Sequence, residues 1–194
     1  MAEAELQLWI WRHPKPIGAA GRCIGRTDLR LDPRRAKRLA HRIRAVARRH
    51  ALPRCIHSSP LRRCADVARW LRRWGWRHQV DADLLELDFG AWDGQPWSSI
   101  DYAEVQAWEA DFLHHAPGGG EALAQLRMRV RRSLAEQGGG GPRLIVGHAG
   151  WINTLLLLGA EVVEASTWPS AWRHASGAAL RLRPDGTLLE LRRL

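Results

Sequence analysis

Apolar and polar positions divide the chain into short apolar runs and longer amphipathic stretches, which alternate along its length. Leu6-Gln7-Leu8-Trp9-Ile10-Trp11 is apolar almost throughout, the pattern of a strand buried on both faces. Arg12-His13 follows, and Pro14-Lys15-Pro16 removes backbone donors, so the strand is expected to end there. Residues 17–31 hold Gly18, Gly21 and Gly25 without a clear period and read as a long loop. Asp32-Pro33 supplies an N-cap and a first-turn proline, and Leu39, Ile43 and Val46 mark the inner face of a helix running to about His50. Arg54-Cys55-Ile56-His57 reads as a second buried strand. Ser59 as N-cap and Pro60 at the first helical position then open a helix with Leu61, Cys64, Val67, Ala68 and Leu71 inside. Arg62 and Arg63 fall in its first turn, where the helix dipole disfavours cations unless an anion lies nearby.

Gly75 closes that helix, and residues 79–82 and 84–90 follow. Ser98 or Ser99 is expected to cap a helix carrying Val105, Trp108, Phe112 and Leu113. Residues 116–120 break it, and Glu121 opens another through Leu123, Leu126 and Val130. A glycine-rich turn over 137–142 leads into Arg143-Leu144-Ile145-Val146, a core strand ending in Gly147-His148-Ala149-Gly150. Residues 151–158 form an apolar helix. Asp185-Gly186 joins two alternating runs, a strong hairpin signal. No internal repeat is visible. The expected fold is α/β: a three-layer α/β/α sandwich whose mostly parallel central sheet has an antiparallel edge from the C-terminal hairpin, one domain over residues 1–194.

Composition narrows the class. An apolar fraction of 45% belongs to a folded globular chain. The acidic start, with Glu3 and Glu5, and Arg12 soon after resemble neither a secretory signal nor a presequence. No run approaches the roughly 20 apolar residues of a membrane span. Cys23, Cys55 and Cys64 show no metal-ligand spacing and read as free thiols in a reducing cytoplasm. The net charge of +10 comes from arginines concentrated in residues 34–49, 62–77 and 127–132. They alternate with Ala, Leu and Val as solvated helix faces do, which argues against a nucleic-acid surface.

Ligands of open α/β sheets bind beyond the carboxyl ends of the strands. Arg12 and His13 stand at one such end, and His148 at another, flanked by small residues that would admit a ligand. Glu86 lies between leucines, where burial without a partner raises the pKa of a carboxylate and makes a general acid; a strand-edge carboxylate facing water is the alternative. Asp88, Asp93 and Asp101 have more exposed contexts. The glycines around Arg22 and Arg26 fit either half a phosphate pocket or an ordinary loop.

In chain order, Arg12-His13, Ser59-Pro60-Leu61-Arg62-Arg63, Leu85-Glu86-Leu87-Asp88-Phe89-Gly90 with Ala91-Trp92-Asp93-Gly94, and His148-Ala149-Gly150 resemble the motifs of the histidine phosphatase superfamily. Gly25-Arg26-Thr27-Asp28-Leu29 and Ala116-Pro117-Gly118-Gly119-Gly120-Glu121 are similar to its first-loop and Pro-Gly-Gly-Glu segments, so the likeness spans nearly the whole chain. In size and first-loop pattern the chain is most similar to small bacterial α-ribazole phosphatases. The resemblance implies a metal-independent, cofactor-free phosphomonoesterase acting on a small phosphorylated substrate, with His13 as nucleophile. Arg12, Arg63 and His148 would be three cationic groups around the phosphoryl oxygens, and Glu86 the acid and base. Gly25, Arg26, Ala149 and Glu121 would contact substrate.

Pro14, Lys15-Pro16, Ala149, Asn153 and Ala122 depart from the common pattern and leave the substrate open. A phosphoglycerate mutase would instead pass the phosphoryl group to an added acceptor. A silent nucleic-acid-binding protein would show steeply salt-dependent binding, but the filled catalytic positions argue against it. Among the eleven tryptophans, Trp92, Trp151 and Trp168 are candidates to stack on a planar base. The oligomeric state is open.

Overall fold

A computed structural model describes residues 5–135, 141–170 and 172–194. Most of the glycine-rich turn expected over 137–142, and Glu3 of the acidic start, lie outside the described residues. Among them, six strands form one sheet: β1 (Leu6–Arg12), β2 (Cys55–Ser58), β3 (Arg77–Val80), β4 (Arg143–Gly147), β5 (Gly177–Leu182) and β6 (Leu188–Arg193). Their order is β3-β2-β4-β1-β5-β6. The β3-β2, β2-β4 and β4-β1 pairs are parallel, whereas β1-β5 and β5-β6 are antiparallel.

Side chains of β1 point alternately to the two faces and so build two cores. Trp9 and Trp11 pack with Leu144 and Val146 against α1 (Pro33–Arg49) and α2 (Arg62–Arg73). Leu8 and Ile10 pack with Ile145 against α4 (Leu123–Ala135) and α5 (Ala149–Leu156). Burial on both sides explains why β1 reads as a continuous apolar run. The result is the expected three-layer sandwich.

Asp32 caps α1 as its sequence requires, accepting from Arg34 N at 2.7 Å, a contact worth about 1 kcal/mol. Other caps differ from expectation because their partners are distant. Helix α2 starts at Arg62, two residues later than expected, with Leu61 as a cap that offers no side-chain acceptor. Asp28 of the first loop takes the Arg62 N–H instead, at 2.7 Å. Asp101, rather than Ser98 or Ser99, caps α3 (Tyr102–Ala110), which ends before Phe112 and Leu113. Glu121 lies ahead of α4, because its N–H is held by Asp88 O at 2.8 Å.

Candidate active site

Strand register brings the two histidines together. Arg12 on β1 pairs with Gly147 on β4, so the next residue of each strand, His13 and His148, emerges at the same sheet edge. Their ring centroids are 5.1 Å apart. His13 N donates to Gly147 O at 3.0 Å, which extends the ladder one residue into the site. These are the carboxyl ends of the adjacent strands β1 and β4, whose following helices α1 and α5 pack on opposite faces of the sheet, where an α/β sheet opens a crevice.

The His13 ring has a defined tautomer. Its Nδ1 lies 2.8 Å from Pro14 O, an acceptor only, so Nδ1 carries the proton and Nε2 keeps its lone pair. Proline at position 14 sacrifices an N–H but retains the carbonyl this contact needs. Burial first, then Arg63 and Arg12, push the His13 pKa well below the ordinary histidine value, outweighing the opposing Pro14 hydrogen bond.

Arg63 reaches the same point from the first turn of α2, its side chain buried while Arg62 faces solvent. It donates from Nε to His148 Nδ1 at 3.3 Å, from Nη1 to Thr27 O at 2.7 Å, and from Nη2 to Gly25 O. His148 is fully buried, and burial followed by the Arg63 charge holds its pKa well below the ordinary value. In this structure His148 is therefore a neutral ring, with Nδ1 accepting and Nε2–H left to donate. Arg12 and Arg63 bring fixed positive charge to this point, and His148 Nε2 adds a further donor. Arg12 Nη1 donates to Trp172 O, and its backbone N to Ser176 O at 3.0 Å. Cys64 Sγ lies 3.5 Å from His148 Nε2, and burial pushes its thiol pKa up, so it stays protonated.

Glu86 is buried but not orphaned. Its Oε1 accepts from Leu87 N at 3.1 Å and Trp151 N at 3.2 Å, and its Oε2 from Gly150 N at 3.1 Å. Two of these donors are first-turn N–H groups of α5, which lack partners within the helix and face a carboxylate with the positive end of the dipole.

The first loop is organised around Asp93, whose half-buried carboxylate contrasts with its expected exposure. It accepts from Gly25 N at 3.0 Å, Arg26 N at 2.6 Å, Thr27 N at 2.8 Å and Thr27 Oγ1 at 2.8 Å. The anion held by this glycine-rich loop is thus one of the protein's own side chains. Arg26 pairs with Asp88 at 3.1 Å and Glu121 at 3.4 Å. Glu121 in turn binds Arg129 through both oxygens, at 2.9 and 2.8 Å. Arg129 is buried, in a helix whose arginines were expected to face solvent. It donates to the carbonyls of Asp83 (2.7 Å), Leu85 (2.8 Å) and Glu86 (3.3 Å).

Arg12, His13, Arg63, Glu86 and Ala149 line one cleft of about 530 Å³, with His148 buried behind them. His174 joins that lining, its ring 5.5 Å from His13 and its Nδ1 3.3 Å from His13 O. Gly25, Arg26 and Glu121 are not part of the lining; their polar groups meet Asp93, Asp88 and Arg129 instead. Trp92 and Trp151 are core residues, 3% and 0% exposed, so of the three stacking candidates Trp168 alone faces the cleft. Among the described residues no three His, Cys, Asp or Glu side chains group as a metal site, and no helix is long and apolar enough to cross a membrane.

The model of the histidine phosphatase superfamily, branch 1, matches residues 8–193. The chain belongs to this superfamily. Over 114 residues it is 35% identical to the Bifunctional protein Rv2228c of Mycobacterium tuberculosis; the match takes in 54% of this chain and only 28% of that much longer relative. It is similar over 97% of its length to mycobacterial glucosyl-3-phosphoglycerate phosphatase Rv2419c, with a TM-score of 0.74, 27% identity and 97% of that chain covered. A phosphoglycerate mutase from Thermus thermophilus matches with a TM-score of 0.70 at 26% identity, over 97% of this chain and 99% of that one.

Several residues of this histidine phosphatase site gave little signal in the sequence. Pro14 contributes a carbonyl, which any residue would carry. His174 comes from the loop before β5 and reaches the site only because β5 runs antiparallel beside β1, with Trp11 opposite Gly177. Arg129 looked like one more cation in an arginine-rich helix. The aromatic lining from Phe89, Trp97 and Trp108 depends on how the 84–100 segment folds back, which local periodicity does not encode.

Proposed function

We propose that this histidine phosphatase is a metal-independent phosphomonoesterase working through a phosphohistidine, with α-ribazole 5′-phosphate or a similar small phosphate ester as substrate. The observation that carries the chemistry is the His13 tautomer: Nδ1–H bound to Pro14 O, and Nε2 unprotonated beside two guanidinium groups. The Nε2 lone pair attacks phosphorus as the ester P–O bond breaks on the opposite side. Arg12, Arg63 and the His148 N–H hold the equatorial oxygens, where charge collects. Glu86 gives a proton to the departing oxygen, then takes one from the water that attacks the phosphohistidine and frees His13. The ribazole assignment rests on first-loop likeness and chain size. The free thiols of Cys23, Cys55 and Cys64 fit a reducing cytoplasm.

Phosphate release from α-ribazole 5′-phosphate, nucleotides, phosphoglycerates and an aryl phosphate, with EDTA present, tests both levels. Turnover that resists EDTA, vanishes in His13→Ala and leaves an acid-labile phosphoryl group on His13 is the expected result. An active His13→Ala protein would overturn the chemistry, and poor relative turnover of the ribazole ester would overturn the substrate. The likeness to a phosphoglycerate mutase supports a second reading, which would show as label transfer to added glycerate phosphate rather than release.

A further inference from the structure

The cleft has two unlike ends. His13, Arg12 and Arg63 form the phosphoryl end, while Phe89, Trp97, Trp108, Phe112 and Trp168 form an aromatic wall farther along the cavity, beside aliphatic residues such as Leu87, Leu123 and Leu126. Its rings support one another in edge-on or tilted contacts. Centroids lie 6.2 Å apart for Phe89–Trp97, 6.0 Å for Phe89–Trp108, 5.2 Å for Trp108–Phe112 and 5.2 Å for Phe112–Trp168. Side chains with two torsions, braced in this way, lose little freedom when a ligand arrives. Trp97 is 42% exposed, so this part of the wall is an open aromatic surface continuous with the reaction centre.

The charges on this side are sparse. Beyond the reaction centre, Arg22 and Glu109 are the charged residues among the described lining, and they oppose each other in sign. Arg22 Nη1 is engaged with Gly94 O at 2.8 Å. Arg22 is the one cation in this part of the described lining that a carboxylate could meet, so a glycerate held against the ring faces would lose water uncompensated. An uncharged planar group would exchange water for ring faces.

We infer that the aromatic wall is the leaving-group subsite, and that the substrate is the phosphate ester of an alcohol carrying an uncharged planar ring system. This rests on the phosphomonoesterase reading above and narrows it away from phosphorylated sugar acids. It assigns Trp97 and Trp168 as specificity-determining residues.

The test compares 2-(1-naphthyl)ethyl phosphate, glycerol phosphate and 3-phosphoglycerate, all esters of aliphatic alcohols, as substrates, and separately titrates 1-naphthol against the tryptophan fluorescence of His13→Ala protein. The wild type is expected to prefer the naphthyl ester over both others by about tenfold or more in kcat/KM, the scale of one stacking contact. Trp97→Ala and Trp168→Ala should each narrow that ratio. Because Trp97 is partly exposed, its removal is the variant less able to disturb folding. Naphthol should quench His13→Ala fluorescence, and do so more weakly once Trp97 is also replaced. Turnover without preference, or a preference for 3-phosphoglycerate, overturns the subsite and leaves the phosphatase chemistry standing. Quenching with no turnover of any ester supports the subsite and removes the chemistry. Absence of both overturns both.

Discussion

Gly150 leaves empty the space that the Glu86 carboxylate occupies. A Cβ on Gly150 would lie 3.2 Å from Glu86 Cδ and well inside contact with Oε1, while the Gly150 N–H donates to Oε2 at 3.1 Å. The last residue of His148-Ala149-Gly150 is therefore small for lack of room. Gly150→Ala is expected to push Glu86 off the N-terminus of α5 and lower kcat by on the order of a hundredfold, the usual worth of a positioned proton donor. Alkyl phosphates, whose leaving oxygen needs the proton, should lose more than aryl phosphates. Equal losses on both would show that Glu86 does not serve the leaving group.

Asp93 acts on the site through Arg63. Its carboxylate gathers the N–H groups of Gly25, Arg26 and Thr27, and the carbonyls of Gly25 and Thr27 then hold the Arg63 guanidinium. Gly25 itself fits closely, since a Cβ there would come within 2.8 Å of Phe89 Cδ2. Asp93→Ala strands four buried or half-buried donors and is expected to cost about 2–3 kcal/mol of stability, near the penalty for losing charged hydrogen bonds. Vanadate affinity should weaken as well. Denaturant unfolding and vanadate titration check the two effects, and unchanged vanadate binding would uncouple the loop from Arg63.

How legible these parts were follows from how local their causes are. Strands β1, β2 and β4 and the first helix were readable because an apolar run or an Asp-Pro cap is complete in its own sequence, whereas β3 (Arg77–Val80) has no apolar run and was placed two residues late, at 79–82. Arg12, His13 and His148 were readable because two strand ends each carried reactive residues, and Glu86 because it interrupts a run of leucines. Asp93 was not, since its four donors lie more than sixty residues upstream. The starts of α2 and α4 were missed for the same reason: Asp28 and Asp88, distant in the chain, satisfy the N–H groups there. The charge state of His148 depended on burial beside Arg63, a tertiary fact.

The Glu121–Arg129 pair braces the segment that carries Glu86. Both side chains are largely buried, at 11% and 9% exposure, and Arg129 also ties down the carbonyls of Asp83, Leu85 and Glu86. Removing Arg129 leaves the buried Glu121 with the longer Arg26 contact as its remaining ion pair and strips three carbonyls of their donor, so Arg129→Met is expected to destabilise the fold by roughly 3–5 kcal/mol. For a chain of this size that is a fall of about 10 °C in Tm. Calorimetry of Arg129→Met beside Arg132→Met, an exposed arginine whose surface pair with Asp83 is worth only about 0–1 kcal/mol, checks the contrast. Similar small losses in both would mean that the pair does not brace the segment.

Buried histidines give stability a pH dependence of definite sign. Burial is the largest cause lowering the pKa of His13, His57, His148 and His174, and it takes His57 and His174 to about 4. Each is free to bind a proton in the unfolded chain below about 6.5, whereas the folded chain resists it. Protons are thus taken up on unfolding between those values, and stability rises with pH across that window. The contribution is fully present above about 6.5 and is lost as pH falls toward 4 and, for His13 and His148, in the same direction by an extent set by their deeper burial. Tm is expected to fall on acidification from pH 6.5 to 4. His57 offers the clean probe, since it lies on β2 outside the reaction centre and its pKa is further lowered by Arg143. Replacing it, as His57→Gln, should make the decline shallower while leaving kcat/KM unchanged. The same depression keeps His13 unprotonated, so the acid limb of kcat/KM assigned to the nucleophile should fall below pH 6.5. A nucleophile limb at or above 6.5, or an undiminished Tm slope in His57→Gln, would mean that these rings are solvated and titrate as free histidines do.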